Sequence, residues 1–359
     1  MRTWDVAIIG GGVIGLSLAW RLRKRGAGVL VLDKGEPGRE ASYAAGGMIA
    51  HCDPHVRPEL IALISGSAKM YPQFVRELID DSGESPDLRE QGTIAFLDES
   101  SMPACQNACP LDDVELSQRE PLLTLRGRSY FLPESSVDPR ALGGALIKAA
   151  KRCGVDFVTG SAVRQVVVEQ GHAVGVRTGK SQYCAAAVVN CAGAWASQML
   201  PLGMPTRPVK GQIVCVVPQP GSHHAGPLIQ HVVRTPEVYI IPRSDGRILL
   251  GATVEEAGFD KSVDPDTVQR LNRAAVGAVP MIREMRIHDA WAGLRPASPD
   301  DLPILGESSV PGYYAATGHY RDGIMLAPVT AHLMTQLVTG FGTDFDLTRF
   351  SPLRFGSSS

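Results

Sequence analysis

Residues 4–34 of the chain read WDVAIIGGGVIGLSLAWRLRKRGAGVLVLDK. The short apolar run at residues 4–9 predicts a buried strand, and glycines follow it at once. The apolar spacing beyond the glycines predicts a helix over residues 16–25, and residues 29–32 predict a second strand. Asp33 stands at the end of that second strand. This order of strand, glycine turn, helix, strand and acid predicts a dinucleotide-binding α/β unit.

Each glycine of the G-x-G-x-x-G turn has a predicted role in such a unit. Gly10 permits the tight turn, Gly12 lets a pyrophosphate approach the backbone, and Gly15 lets the helix pack closely on the sheet. The helix N-terminus offers free N–H groups and the positive end of its dipole to the phosphates. Asp33 can accept hydrogen bonds from ribose hydroxyls, and its charge disfavours the 2′-phosphate of NADP. The unit alone leaves FAD and NAD open, and a glycine turn without any ligand fits the full pattern less well.

Length, composition and charge set the outer limits. A chain of 359 residues exceeds one ordinary hydrophobic core, so two domains are expected. The net charge of -2 and the lack of a basic run give no indication of nucleic-acid binding. No apolar stretch reaches transmembrane length, and the sequence starts directly with a core strand, so neither a membrane span nor a signal peptide is expected. We therefore expect a cytoplasmic protein.

Seven cysteines are scattered along the chain without a C-x-x-C pair, which disfavours a structural zinc site and a thioredoxin-type site. Several lie in apolar runs, so we expect most of them to be buried small hydrophobic residues in a reducing compartment. His51, Cys52 and His55 lie close together and raise a metal site as an alternative. No further Cys/His cluster of matching spacing completes a tetrahedral set, so the pattern favours an ordinary loop and no metal is predicted.

Beyond the first unit, apolar periodicity predicts several helices and then a β-rich region. Pro72 is predicted to break or kink the helix that spans residues 59–82. Residues 102–121 are predicted to be less regular. From residue 207 the strand and turn signals predict an antiparallel sheet. Further helices are predicted at residues 139–153, 264–278 and 324–338.

Four segments besides the glycine turn carry a family resemblance. They are ASYAAGGM (41–48), VVNCAGAWA (188–196), WAGLRP (291–296) and GHYRDGI (318–324). In this order they resemble the glycine oxidase/sarcosine oxidase branch of the D-amino acid oxidase superfamily, in particular the glycine oxidases linked to thiamine biosynthesis. The sequence departs from the family where glycine oxidases often continue M-L-A-P, since residues 49–52 read IAHC here.

The resemblance implies that the chain binds FAD. Residues 41–42 and 192–193 would face the phosphates, residues 46–48 would lie along the flavin, and the backbone of Val163 would touch the adenine side. The monomeric sarcosine oxidases attach FAD to a cysteine near the C-terminal segment, and no cysteine follows Cys215 here, so non-covalent binding is expected. The residues expected to contact FAD are Gly10, Gly12, Val13, Ile14, Gly15, Asp33, Lys34, Ala41, Ser42, Gly46, Gly47, Met48, Val163, Ala192, Gly193, Trp195, Arg295, His319, Arg321, Asp322, Gly323 and Ile324.

The resemblance also suggests four catalytic-site residues. Arg295 would clamp the carboxylate of an amino acid in two hydrogen bonds, and Tyr239 would hold the same carboxylate. Without the resemblance, Arg295 reads as a solvated loop charge and Tyr239 as a surface residue of an amphipathic strand. Arg321 would add positive charge or line the pocket entrance, and His319 either lies near the flavin or is a structural turn residue. Val254 stands where several glycine oxidases carry Met, which leaves side-chain specificity open.

The predicted fold class is α/β. A Rossmann-like FAD-binding domain of the glutathione-reductase type is expected beside an α+β substrate domain that contains an antiparallel sheet. The resemblance implies that the helix N-terminus near residue 323 points at the flavin pyrimidine ring and stabilises negative charge on the reduced flavin. The expected boundaries are 1–50, 136–205 and 293–345 for the FAD domain, 51–135 and 206–292 for the substrate domain, and 346–359 for a C-terminal tail.

The function implied by the resemblance is oxidative deamination of glycine or another small amine. Hydride transfer from the α-carbon to flavin N5 would give an imino acid, dioxygen would become hydrogen peroxide, and the imine could enter thiamine thiazole synthesis. Three alternatives stay open at this point. They are a dehydrogenase that uses another electron acceptor, an oxidase of secondary amines such as sarcosine or proline, and a non-enzymatic FAD-binding protein. A homo-oligomer is compatible with the family.

Overall fold

The computed structural model describes residues 2–220 and 227–356. Within them the chain forms an α/β structure with two large sheets, which confirms the predicted fold class. The α-helices are α1 (Val13–Lys24), α2 (Ala41–Ala44), α3 (Ile61–Ser82), α4 (Asp113–Arg119), α5 (Pro139–Arg152), α6 (Pro265–Ala278) and α7 (Gly323–Val338). The strands are β1 (Thr3–Ile9), β2 (Val29–Leu32), β3 (Met48–Ile49), β4 (Thr93–Phe96), β5 (Cys109–Leu111), β6 (Ser129–Leu132), β7 (Ser135–Ser136), β8 (Asp156–Val158), β9 (Val163–Glu169), β10 (His172–Thr178), β11 (Gln182–Asn190), β12 (Arg207–Val217), β13 (Val232–Arg234), β14 (Tyr239–Pro242), β15 (Ile248–Gly251), β16 (Arg286–Ala297), β17 (Ile304–Glu307) and β18 (Tyr313–Thr317).

The first sheet contains the predicted dinucleotide unit. Its strand order is β17-β18-β11-β1-β2-β8, and the strands from β18 to β8 are parallel. Alternate residues of β1 point to opposite faces of the sheet. Val6 and Ile8 pack in a core with α1, α3, α5 and α7, whereas Ala7 and Ile9 pack in a core with the β9–β10 hairpin. Both faces of the parallel strands are therefore buried, as their continuous apolar runs require.

The second sheet has the order β16-β12-β15-β14-β13-β4-β6-β5. Its neighbours are antiparallel apart from the β13–β4 pair, so the predicted antiparallel sheet is confirmed. Val214 and Ile240 pack on one face in a core with α6, while Ile213 and Ile241 belong to a smaller cluster on the other face. That other face, which we call the roof face, is turned toward the first sheet and lines the cavity described below.

Pro72 does not interrupt its helix, so the predicted break was wrong, while the alternative of a kink stays a prediction. α3 runs continuously from Ile61 to Ser82 with Pro72 inside it. Two side chains that precede the proline anchor α3 to α7, because Ser67 Oγ donates to Met325 O at 2.6 Å and Tyr71 Oη donates to Ile324 O at 2.8 Å. Tertiary packing thus outweighs the backbone hydrogen bond that a proline cannot donate.

Two further regions differ in detail from the expectations. The predicted boundaries assign α3 to the substrate domain, yet α3 packs in the first core, while the boundaries themselves stay a prediction. Residues 102–121, expected to be less regular, contain α4. A capping box starts this helix, since Asp112 accepts from the Glu115 N–H at 2.8 Å and Glu115 accepts from the Asp112 N–H at 3.2 Å. The D-x-x-E spacing was the available signal for α4.

The cysteine expectation was wrong for most of the seven residues. Cys52 and Cys105 form a disulfide across a sequence separation of 53 residues, with a Cα–Cα distance of 4.8 Å. Only Cys191 and Cys215 among the free cysteines are buried. The bond joins the loop after β3 to the loop after β4, where the Ala104 N–H donates to Cys52 O at 3.0 Å. Such a separation leaves no local sequence signal.

The described residues contain no cluster of three or more His, Cys, Asp or Glu side chains suited to a metal ion. His51 and His55 therefore lie in a loop without such a cluster around them. In the same part of the chain, no helix combines the length and the apolar character that a membrane crossing needs.

Candidate active site

The glycine turn after β1 has the geometry that the sequence predicted. Gly10 has φ of +103°, which an L side chain rarely adopts, and a Cβ on it would collide with the Cys191 carbonyl. A Cβ on Gly15 would collide with the Gly10 carbonyl, so Gly15 allows the close approach of α1 to the turn. Gly12 is the N-cap of α1 and has no capping side chain of its own.

Ser42 supplies an oxygen at the N-terminus of α1. Its Oγ accepts a hydrogen bond from the Val13 N–H at 2.9 Å. This bond ties α2, which contains Ala41 and Ser42, to the glycine turn. The segment expected to follow the cofactor is thus joined to the expected phosphate-binding turn by a direct contact.

Asp33 is held by backbone at the end of β2. Its Oδ2 accepts from the Gly11 N–H at 2.7 Å, and its Oδ1 accepts from the Gly35 N–H at 2.8 Å. A carboxylate offers about four lone-pair positions, so both oxygens keep capacity for ribose hydroxyls. Lys34 lies next to it, with Nζ 3.1 Å from the centroid of the Trp195 ring and 3.0 Å from Glu40 Oε1. Trp195 and Lys34 therefore lie together beside the acid.

A buried arginine fixes the glycine segment that follows α2. Arg243 donates through Nη2 to Gly46 O at 2.6 Å and through Nη1 to Val137 O at 3.0 Å. Burial lowers the pKa of Arg243 to about 10, and the Asp138 carboxylate opposes that shift. The sequence analysis missed Arg243, because nothing in its neighbourhood separates a buried arginine from a surface one at the end of a strand.

One cavity of about 810 Å³ connects these elements. It extends from the glycine turn, along the segment 41–48, to the roof face of the second sheet. Every residue predicted to bind the cofactor or to act in catalysis lines this cavity, with the exception of Gly15. Gly15 instead packs against the Gly10 carbonyl beneath the turn.

Tyr239 and Arg295 lie on the roof face. Arg295 belongs to β16 rather than to a loop, which corrects the sequence-based interpretation. Its Nη1 donates to Thr253 O at 2.9 Å and to Lys210 O at 3.3 Å, so backbone carbonyls hold one edge of the guanidinium. Burial raises the pKa of Tyr239, and the positive charges of Arg295 and Arg321 work against that rise. The phenol is therefore a neutral hydrogen-bond donor beside a guanidinium.

His319 has a structural partner. Its Nε2 lies 3.0 Å from Thr330 Oγ1 on α7, and the side chain is buried. Burial lowers the pKa of His319 to about 3, so the imidazole is neutral at ordinary pH. The sequence left two roles open for His319. Its contact with Thr330 agrees with the structural role, and its place in the cavity lining leaves a position near the flavin as a prediction.

The N-terminus of α7 meets the same cavity. Asp322, Gly323 and Ile324 line it, together with the exposed Arg321. Burial raises the pKa of Asp322 to about 6, the Arg321 charge lowers it, and the Asp53 charge raises it. The start of α7 therefore carries a carboxyl group that titrates near neutrality, which no sequence pattern indicated.

A charged cluster in the cavity wall was not predicted from the sequence. Arg234 Nη1 donates to Asp53 Oδ2 at 2.8 Å, and Arg234 Nη2 lies 3.2 Å from Glu134 Oε2. Burial tends to raise the pKa of Asp53, but the Arg234 charge prevails and the pKa is lowered. Arg234 is 181 residues from Asp53 and 100 residues from Glu134 in sequence, so only the folded chain brings the three together.

Comparison with known proteins agrees with this geometry. The sequence profile described as FAD dependent oxidoreductase matches residues 5–337. A glycine oxidase of Pseudomonas putida is 33% identical over 97% of this chain and 98% of that protein. A bifunctional protein ThiO/ThiG of Trichormus variabilis is 36% identical over 98% of this chain and 55% of that protein. The chain thus spans about half the length of the ThiO/ThiG relatives that it matches.

A further relative and a solved structure also match nearly the whole chain. A hydrogen cyanide synthase subunit HcnC of Pseudomonas aeruginosa is 31% identical over 99% of this chain and 97% of that protein. The crystal structure of glycine oxidase from Geobacillus kaustophilus matches with a TM-score of 0.90 at 31% identity, covering 99% of each chain. Since the profile spans most of the sequence and relatives above 30% identity match end to end, the chain belongs to the FAD-dependent oxidoreductase family that its sequence segments resemble.

Proposed function

We propose that the protein oxidises glycine or another small amino acid with non-covalently bound FAD, and that it passes the electrons to dioxygen. The observation that carries the proposal is the pair Arg295 and Tyr239 on the roof face. Both line the cavity opposite the glycine segment 46–47, which the family resemblance assigns to the flavin. A guanidinium and a neutral phenol together match the shape and charge of one carboxylate.

The cavity residues fit FAD in three respects. Gly10 and Gly12 of the glycine turn line the cavity with backbone that no side chain covers. The N-termini of α1 and α7 both reach the cavity, and each offers positive dipole character to an anionic group. Asp33 and Lys34, which suit the ribose end of a dinucleotide, line the same cavity as Arg295 and Tyr239. When bound, FAD supplies the acceptor for a hydride from the substrate α-carbon, and dioxygen then removes the electrons as hydrogen peroxide.

The chain's own residues contribute binding and orientation to this reaction. Arg295 and Tyr239 hold the substrate carboxylate, which fixes the direction of the α-C–H bond. Burial lowers the pKa of His319 to about 3, so its imidazole is a weak base, and its Nε2 is paired with Thr330 Oγ1. No protein base has to remove the α-hydrogen, because that hydrogen leaves with its electron pair. Catalysis then rests on positioning and on the fixed charges of the site.

The product of this reaction is an imino acid. It hydrolyses in water to an oxo acid and ammonia, or a thiazole-forming enzyme consumes it. The names of the ThiO/ThiG relatives, of which the chain spans about half, favour the second route, which would place the chain in thiamine biosynthesis. A cytoplasmic location and a homo-oligomeric state stay predictions from the sequence.

A second candidate is a dehydrogenase that reduces another electron acceptor in place of dioxygen. The relative named as a hydrogen cyanide synthase subunit indicates that proteins similar to this chain serve more than one reaction, which keeps this candidate open. Secondary amines such as sarcosine or proline are alternative substrates, because Arg295 and Tyr239 could bind their carboxylate in the same way.

The test is the visible spectrum of the purified protein without oxygen. Glycine, sarcosine, D-alanine and D-proline are added in turn, and air is admitted afterwards. Bleaching by glycine and a rapid return of colour in air support the oxidase, whereas bleaching that persists in air supports the dehydrogenase. A yellow protein that none of the four bleaches contradicts the proposed substrates, and a protein that cannot be reconstituted with FAD contradicts the whole proposal.

A further inference from the structure

Two glycines of the roof face lie directly beneath the side chains that the proposed function uses. A Cβ on Gly211 would be 2.5 Å from Arg295 Cζ, so the guanidinium rests on the bare backbone of β12. A Cβ on Gly251 would be 2.6 Å from Tyr239 Cε2 and 2.8 Å from Tyr239 Oη. Arg295 and Tyr239 thus occupy the space that a methyl group at residue 211 or 251 would need.

The register of the sheet explains why these glycines and side chains meet. Gly251 pairs with Ile213 on β12 and with Tyr239 on β14, so the three residues form one row across the sheet. Arg295 on β16 pairs with Val209, two residues before Gly211 on the same face of β12. Tyr239 therefore covers its direct cross-strand neighbour, while Arg295 leans over a diagonal one.

A left-handed backbone conformation is not the reason for glycine at these two positions. Neither residue is among those with positive φ, whereas Gly10 and Gly47 are. What the positions require is space for Arg295 and Tyr239 themselves. Backbone carbonyls then fix the guanidinium sideways, because its Nη1 donates to Thr253 O and Lys210 O.

We infer that Gly211 and Gly251 are positioning residues that set the depth at which Arg295 and Tyr239 receive the substrate carboxylate. The inference rests on the proposed function. A methyl group at residue 211 has to displace the guanidinium by about 1 Å to reach ordinary contact distance, and a misplacement of that size can cost about 100-fold in rate. The displacement also weakens the two hydrogen bonds that hold the guanidinium to backbone carbonyls.

The main test compares Gly211→Ala with wild type in the FAD-loaded protein. The expected result is a fall of about 100-fold in kcat/KM for glycine. Acetate, a carboxylate that has no amine to oxidise, is expected to bind more weakly, as measured by its perturbation of the flavin spectrum. Gly277→Ala in α6 is the matched control, because no atom lies within 4 Å of a Cβ built at that residue. We expect Gly277→Ala to leave both measurements unchanged.

A double-mutant cycle separates positioning from a general structural effect. In an Arg295→Ala background, Gly211→Ala is expected to change kcat/KM by less than about threefold, because the group that the methyl displaces is already gone. Gly251→Ala is expected to lose its effect in the same way in a Tyr239→Ala background. A full 100-fold loss in both backgrounds would show that the glycines act through something else and would overturn the inference.

The two proposals fail in different ways. If wild type neither binds acetate nor reacts with any of the four amino acids, the proposed function is wrong, and the inference falls with it. If wild type responds to both and Gly211→Ala behaves like wild type, the proposed function stands and the inference alone is wrong.

Discussion

Reduction of the Cys52–Cys105 disulfide is expected to lower the stability of the protein by about 4 kcal/mol. The two cysteines are 53 residues apart, and in the chain-entropy model a bond that closes such a loop removes about 14 cal/mol/K from the unfolded chain. Multiplied by 298 K, this entropy gives the stated free energy. The bond joins two loops that also share the backbone hydrogen bond from the Ala104 N–H to Cys52 O.

This loss of stability corresponds to a decrease in the melting temperature, Tm. The unfolding entropy of a globular protein is about 2.1 cal/mol/K per residue, so 359 residues correspond to an unfolding entropy of about 0.75 kcal/mol/K. A loss of about 4 kcal/mol therefore lowers Tm by about 5 °C. The disulfide lies next to the cavity, because Asp53 follows Cys52 directly and pairs with Arg234 at the cavity wall.

The assay is thermal unfolding with and without a phosphine reductant, alongside a Cys52→Ser/Cys105→Ser variant. Cys109→Ser, which removes an exposed free thiol, is the control and is expected to keep the wild-type Tm. Thiol titration of the denatured protein should count five groups before reduction and seven afterwards. Seven thiols in the untreated protein, or a Tm that ignores the reductant and the double substitution, would refute the reasoning.

Three other predictions concern catalysis, pH and the backbone. Arg295→Ala removes two charge-assisted hydrogen bonds of about 1.5–3 kcal/mol each, so steady-state kinetics should show kcat/KM for glycine reduced roughly 10²–10⁴-fold; an unchanged value would contradict the carboxylate role. Asp322 has its pKa raised by burial to about 6, so its contribution to stability is present at low pH and is lost as pH rises through that value. Asp322→Asn should therefore raise Tm at pH 8 and leave it unchanged at pH 4, and an equal gain at both would exclude ionisation as the cause. Pro72→Ala restores a helical hydrogen bond and should stabilise the protein by up to about 3 kcal/mol in denaturant unfolding, whereas a loss would mean that the ring is needed for packing.

The glycine turn could be predicted from sequence because its determinants are local. Gly10, Gly15 and Asp33 lie within one strand–helix–strand unit, and each spacing has a direct steric or electrostatic meaning. Arg295 and Tyr239 were different, since their residue types alone favoured a surface loop and a surface strand. Only the resemblance to a family directed attention to them, and the cavity then brought the two together.

Other parts of the site could not be predicted because they depend on distant pairings. The disulfide, the Arg234 ion pairs and the bonds of Arg243 to Gly46 and Val137 all connect residues that no local pattern relates. The wrong prediction at Pro72 has a related cause, since α3 survives the proline through contacts with α7, which lies more than two hundred residues away in sequence.

The site combines two sheets with opposite requirements. The parallel sheet buries both faces and exposes only its strand ends, so its contribution comes from turns and helix N-termini, where backbone groups are free. The antiparallel sheet buries one face against α6 and turns the other toward the cavity, so its contribution comes from side chains that stand on that face. Charged and aromatic side chains on the roof face would fill the cavity unless the neighbouring residues of the sheet had small side chains or none. Gly211 and Gly251 meet that condition, because Arg295 and Tyr239 lie directly on them. The roof face can therefore carry both carboxylate-binding side chains and still leave room for a ligand in the cavity.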